Sequence, residues 1–120
     1  MALVLIADDS PTDQHVLVSA LEKHGFETLI AKDGQEAIRL AAERSPDVIL
    51  MDIVMPGMNG YQATRRLAQD PATASIPILI VSTKTQEADR VWGLRQGAVQ
   101  YLTKPVSEEE LVAAVRAVLG

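Results

Sequence analysis

Five short apolar runs recur along the chain, and each is followed by a stretch in which apolar residues return at helical spacing. The runs are Leu3-Val4-Leu5-Ile6-Ala7, Thr28-Leu29-Ile30-Ala31, Val48-Ile49-Leu50-Met51, Ile76 to Val81, and Ala98-Val99 through Leu102. Runs of this length, the richest of them continuous rather than alternating, read as strands buried on both faces of a parallel sheet. The segments between them predict helices. Ser10-Pro11 supplies an N-cap and a proline first turn; Val16, Leu17, Ala20 and Leu21 then make one apolar stripe, which Gly25 ends. The second helix runs from about Gly34 to Arg44 with Ala37, Ile38 and Ala41 inward, and the third from about Gly60 to Gln69 with Ala63, Thr64 and Leu67 inward. The fourth, from about Gln86 to Gln96, carries Val91, Leu94 and, as a further candidate, Trp92. The fifth opens on Ser107-Glu108-Glu109-Glu110, a reciprocal capping box, and its stripe is Leu111, Val112, Val115 and Leu119.

Strand and helix thus alternate five times with short connections, which calls for right-handed crossovers and a parallel α/β sheet covered on both faces. A chain of 120 residues suits one domain, here 1–120, with no output domain expected after the last helix. Composition narrows the function. A net charge of −5 argues against a nucleic-acid reader, which needs a basic face. The absence of Cys removes thiol nucleophiles and thiolate metal sites. No apolar run is long enough to span a bilayer, and Met1 to Ala7 lacks a basic leader, so a cytoplasmic chain with no membrane insertion is expected.

In an open parallel sheet, ligands gather at the carboxyl ends of the strands, near the point where the strand order reverses. Strand one ends in Asp8-Asp9, strand three in Asp52, strand four in Ser82-Thr83 and strand five in Thr103-Lys104-Pro105. Three carboxylates, a hydroxyl and an ammonium therefore converge on one edge. Each aspartate alone could merely end a strand or cap a helix. Clustered carboxylates resist ionising together, and a hard cation such as Mg²⁺ resolves the conflict while leaving coordination positions open for a phosphoryl group. Lys104 can balance the remaining charge. His15 and His24 are isolated and read as ordinary exposed residues of the first helix.

These residues, in this order, resemble the receiver domains of two-component response regulators, the CheY-like family. The resemblance spans essentially the whole chain and rests on Asp8-Asp9, Asp52 to Gly60, Ser82 and Lys104-Pro105. It implies a flavodoxin-like, doubly wound (βα)5 fold with strand order 2-1-3-4-5, an order that composition and periodicity do not supply. Finer detail in Met51 to Gly57, Gly60 to Arg65 and Tyr101 to Val106 is similar to the receivers of a chemotaxis-like pathway controlling type IV pili and twitching motility.

The resemblance implies that Asp52 accepts a phosphoryl group from a histidine kinase. Asp9 and Asp52 would bind Mg²⁺ directly, with the carbonyl of Val54 as a further ligand and Asp8 acting mostly through water. Ser82, where threonine is commoner, and Lys104 would contact the phosphoryl oxygens, and Tyr101 would be the aromatic switch. A downstream protein target would read a face around Glu87, Arg90 and Tyr101, and the chain is expected to be a monomer. Two other classes compete. A haloacid-dehalogenase-type phosphohydrolase would want an acidic residue two positions after its nucleophile, where this chain has Val54. A flavodoxin-like FMN carrier needs a hydroxyl- and glycine-rich first loop, where this chain has Asp8-Asp9-Ser10-Pro11.

Overall fold

Side chains on a strand alternate between the two faces of a sheet. In the computed structural model, which describes all residues 1–120, that alternation divides the apolar runs between two cores. The strands are β1 (Leu3–Ala7), β2 (Glu27–Ala31), β3 (Val48–Met51), β4 (Ile78–Ser82) and β5 (Gln100–Thr103), and the helices are α1 (Pro11–Lys23), α2 (Gly34–Arg44), α3 (Gly60–Gln69), α4 (Glu87–Gln96) and α5 (Glu108–Leu119). The five strands are parallel and lie in the order 2-1-3-4-5. Leu5, Ile49, Met51, Ile78 and Ile80 face α2 and α3, where Ala37, Ala41, Ala63 and Leu67 meet them. Val4, Ile6, Val48, Leu50, Leu79 and Val81 face α1 and α5, against Leu17, Leu21, Leu111 and Val115. A run apolar on both faces is therefore what each central strand needs.

The helix starts follow from their caps. Ser10 Oγ accepts from the Asp13 amide at 3.3 Å, and Asp33 Oδ1 from the Glu36 amide at 2.8 Å. The helix α3 has a reciprocal box, Asn59 with Gln62, that the sequence reading passed over. The box expected at α5 is half present: Ser107 Oγ accepts from the Glu110 amide at 3.1 Å, with no return bond from the Glu110 carboxylate.

Four apolar positions turn the other way from expectation. Val16 is exposed on α1, and Val91 and Trp92 are exposed on α4. Leu119 is exposed at the end of α5, where Ala114 and Val118 cover the core instead. On α4 the residue facing the sheet is Gly93: a Cβ there would meet Ile80 Cδ1 at 2.6 Å and Tyr101 Cδ2 at 3.3 Å. Glycine allows this close approach; Val91 and Trp92 face outward, while Leu94 packs against the core as expected. The strand limits also move: β4 begins at Ile78 and β5 at Gln100.

Candidate functional site at the carboxyl edge of the sheet

The same alternation aims the polar residues. Val4, Ile6, Val48 and Leu50 face α1 and α5, so Asp8 and Asp52, two positions beyond Ile6 and Leu50, share that parity. Lys104 follows Leu102 by two residues and joins them. Ser82 has the opposite parity, on the side of α3 and α4 where Tyr101 packs. Strands β1 and β3 are neighbours with Ala7 beside Met51, and their helices leave toward opposite faces. Asp8, Asp9 and Asp52 thus flank the crevice where the strand order reverses.

The contacts are short. Lys104 Nζ donates to Asp8 Oδ2 at 2.9 Å and to Asp13 Oδ2 at 2.8 Å, and lies 3.7 Å from Asp52 Oδ2. Asp8 is buried; its second oxygen accepts from the Ser10 amide at 2.9 Å, and its carbonyl accepts from Gln14 Nε2 at 2.6 Å. Asp52 is anchored through its backbone, its amide donating to Ala7 O at 2.9 Å, while its Oδ1 accepts from the Ile53 amide at 2.9 Å. Ser82 is fully buried, and its Oγ accepts from the Lys84 amide at 3.2 Å. Thr83, the other hydroxyl at this strand end, is exposed. Tyr101 is half-buried, with its hydroxyl donating to Lys84 O at 2.7 Å. Val54 follows in the turn after β3 and is 61% exposed. Glu87 and Arg90 pair with each other at 2.6 Å on the outer face of α4.

Electrostatics single out Asp52. Burial pushes its pKa up from 3.8 to about 6; Lys104 and the Ile53 amide pull down, and Asp8 and Asp9 push up. Burial alone would lower Lys104, but its bonds to Asp13 and Asp8 outweigh that and hold it above the ordinary lysine value. Burial raises Tyr101 as well. One oxygen from each of Asp8, Asp9 and Asp52 lies within 4.8 Å of the others. This all-oxygen, all-anionic donor set fits a hard divalent cation.

Asp13 escaped the sequence reading, and Gly60 and Tyr61 entered it only as members of motifs, without a role. Asp13 binds Lys104; its one sequence signal is an acidic residue in the first turn of a helix that begins at a strand's carboxyl end. Gly60 lets the start of α3 lie against Asp52: a Cβ there would collide with the Asp52 carbonyl, and the Gly60 amide donates to Ile53 O at 2.8 Å. Tyr61 donates to the Asp89 carbonyl at 3.2 Å, joining α3 to α4, and burial raises its pKa to about 12. His24 is not isolated: its Nε2 lies 2.9 Å from Glu108 Oε2, joining the end of α1 to the start of α5.

Fold and site together define a signalling receiver, and comparison with known proteins agrees. Residues 4–116 match the response regulator receiver domain, and the chain belongs to that family. It is 57% identical over 120 residues to Protein PilH of Pseudomonas aeruginosa, covering 100% of this chain and 99% of that one. Other curated relatives at 38–41% identity are longer, and the chain spans 51% to 25% of their length. Among solved structures, Vibrio cholerae chemotaxis protein CheY4 superposes with a TM-score of 0.92 at 32% identity, covering 98% of each chain. The receiver domain of the Pseudomonas aeruginosa sensor histidine kinase PA1611, solved with magnesium coordinated in its active site cleft, gives a TM-score of 0.93 at 30% identity, covering 99% of this chain and 98% of that one.

Proposed function

We propose that this receiver takes a phosphoryl group from a kinase phosphohistidine onto Asp52 and thereby switches a protein-binding face. The observation that supports this most is Asp52 itself: a carboxylate at the switch-point crevice, with two further carboxylates and a lysine ammonium around it. An Asp52 carboxylate oxygen attacks phosphorus, the phosphorus–nitrogen bond breaks, and the imidazole leaves and takes up a proton. Asp9 and Asp52, with Asp8 and the Val54 carbonyl, would hold Mg²⁺, which supplies charge neutralisation for the phosphoryl oxygens. Lys104, 3.7 Å from Asp52, would offer a donor to the phosphoryl oxygens, and the Ser82 hydroxyl at the end of β4 would offer a second. Burial raises the pKa of Asp52 in the metal-free chain, and a bound divalent cation would favour the ionised carboxylate that attacks. The phosphohydrolase reading loses ground because Val54, at its acid/base position, is apolar and exposed.

The signal leaves through α4, β5 and α5. Tyr101 packs between Ser82 and α4, so a movement of Ser82 toward the phosphoryl group changes what Tyr101 rests on, and Glu87 and Arg90 lie on the adjoining surface. A target shifts this equilibrium only if it binds the two states differently. The likeness to PilH supports a place in a chemotaxis-like pathway for type IV pili and twitching motility, with a chemotaxis-type histidine kinase upstream. No helix is long and apolar enough to cross a membrane; we read the chain as a monomer working in the cytoplasm.

The test is intact-mass measurement after incubation with acetyl phosphate and Mg²⁺. The parent chain gains one phosphoryl group, Asp52→Asn gains none, and Asp9→Ala or excess chelator suppresses the gain. Undiminished labelling of Asp52→Asn contradicts the assignment.

A further inference from the structure

Lys104 is held where the proposed chemistry needs it least. Its ammonium bonds to Asp13 at 2.8 Å and Asp8 at 2.9 Å, whereas Asp52 at 3.7 Å is outside hydrogen-bond range. Asp13 lies in the first turn of α1, where the helix dipole favours an acidic residue in any case. The dipole does not require its carboxylate to turn toward a lysine whose side chain is 12% exposed, yet Asp13, itself 40% exposed, does so. Nor does Asp13 belong to the metal-binding set, which comprises Asp8, Asp9 and Asp52.

We infer that Asp13 is a positioning residue that restrains Lys104, competing with any anionic group on Asp52 for the same ammonium. The inference rests on the phosphoryl-acceptor reading of Asp52. Three carboxylates (Asp8, Asp13 and Asp52) lie within 4 Å of one ammonium, so an incoming anion meets repulsion from Asp13 and finds its cation already engaged. Removing the Asp13 charge relieves both. Asp8, buried and fixed by the Ser10 amide, keeps Lys104 at the crevice after Asp13 is gone, so the ammonium is released without being lost. A groove of about 240 Å³ beside the pair, bordered by Val16, Thr83 and Pro105, lets Lys104 exchange partners without disturbing the core. The exposure of Val16 is thereby explained: the top of α1 borders open space at this point and not the core.

The experiment titrates beryllofluoride, a tetrahedral phosphoryl mimic, into the parent chain, Asp13→Asn, Asp13→Glu and Asp52→Asn at fixed saturating Mg²⁺, with binding read from amide chemical shifts. Asp13→Asn binds about two- to five-fold more tightly than the parent, as expected for release of one partly exposed ion pair, and the gap narrows as salt rises. Asp13→Glu, which keeps the charge, stays within the parent's range. A second readout needs no ligand: the Lys104 ammonium gives a slowly exchanging proton–nitrogen signal in the parent that weakens in Asp13→Asn. Equal or weaker binding by Asp13→Asn, or an ammonium signal that does not change, overturns the inference. Absence of beryllofluoride binding to the parent overturns the Asp52 reading instead, and with it the premise.

Discussion

The centre of the sheet and its β5 edge are built differently. In β1, β3 and β4 nearly every residue is buried, and Asp8 and Asp52 stand at the ends of rods packed on both faces. Three of the four residues of β5 are half-exposed and the fourth is exposed, and its neighbour α4 buries only Gly93 and Gln96. Two tyrosine hydroxyls supplement this thin packing, Tyr61 bonding to the Asp89 carbonyl and Tyr101 to the Lys84 carbonyl. An acceptor carboxylate needs a fixed frame, whereas a surface that reports its modification needs elements that move at small cost. Under the proposed function, the division of packing would supply both.

The comparison breaks most severely at the glycines. Gly60→Ala sets a methyl group against the Asp52 backbone carbonyl, which cannot rotate aside, and should cost about 3–5 kcal/mol and abolish phosphoryl uptake. Gly93→Ala meets the terminal methyl of Ile80, a side-chain atom and not backbone, and chemical denaturation should find a smaller loss. If the two cost the same, the contrast between frame and edge fails. Leu50→Ala, at the centre of β3, should lose about 2–5 kcal/mol of stability. Trp92→Ala, with Trp92 48% exposed, should stay within about 0.5 kcal/mol in the same measurement.

A pH series sharpens the frame's electrostatics. The folded pKa of Asp52 is about 6 against 3.8 unperturbed, so between those values the folded chain binds a proton that the unfolded chain has released. Ionising Asp52 therefore opposes folding. The cost is absent below pH 3.8, grows as pH rises, and is complete above about 6. In metal-free buffer Asp52→Asn should be more stable than the parent by about 1–2 kcal/mol at high pH, allowing for screening at this partly hydrated site, and equal to it in acid. A stability gap that does not vary with pH would count against the burial argument. The smallest effect belongs to lifetime: Val54→Asn, which adds a hydrogen-bonding group beside the acceptor, should speed loss of the phosphoryl group in a decay assay, and an unchanged or slower decay would refute this.

How much the sequence revealed follows the same divide. Where a strand is buried on both faces, its run is unmistakable, and the parity of Asp8 and Asp52 follows from counting by twos. The first helix misled because its top borders a groove, so Val16 has no core to face although it continues the apolar stripe. On α4 the residue nearest the sheet is a glycine, which leaves no apolar mark, and Val91 and Trp92 took its place in the count. Asp13 was invisible for another reason: its partner lies 91 positions away, and no local pattern encodes that meeting. Strand order came from family resemblance, since any of several orders satisfies five buried strands.

The most direct test maps amide shifts and hydrogen exchange with and without beryllofluoride and Mg²⁺. The account predicts changes at Asp52 and its flanking turn, at Ser82, and across α4, β5 and the start of α5, with exchange in β1 and β3 unaltered. Tyr101→Ala should then weaken binding of a target that prefers the modified form. Changes confined to α1 and α2, with target binding indifferent to Tyr101→Ala, would contradict it.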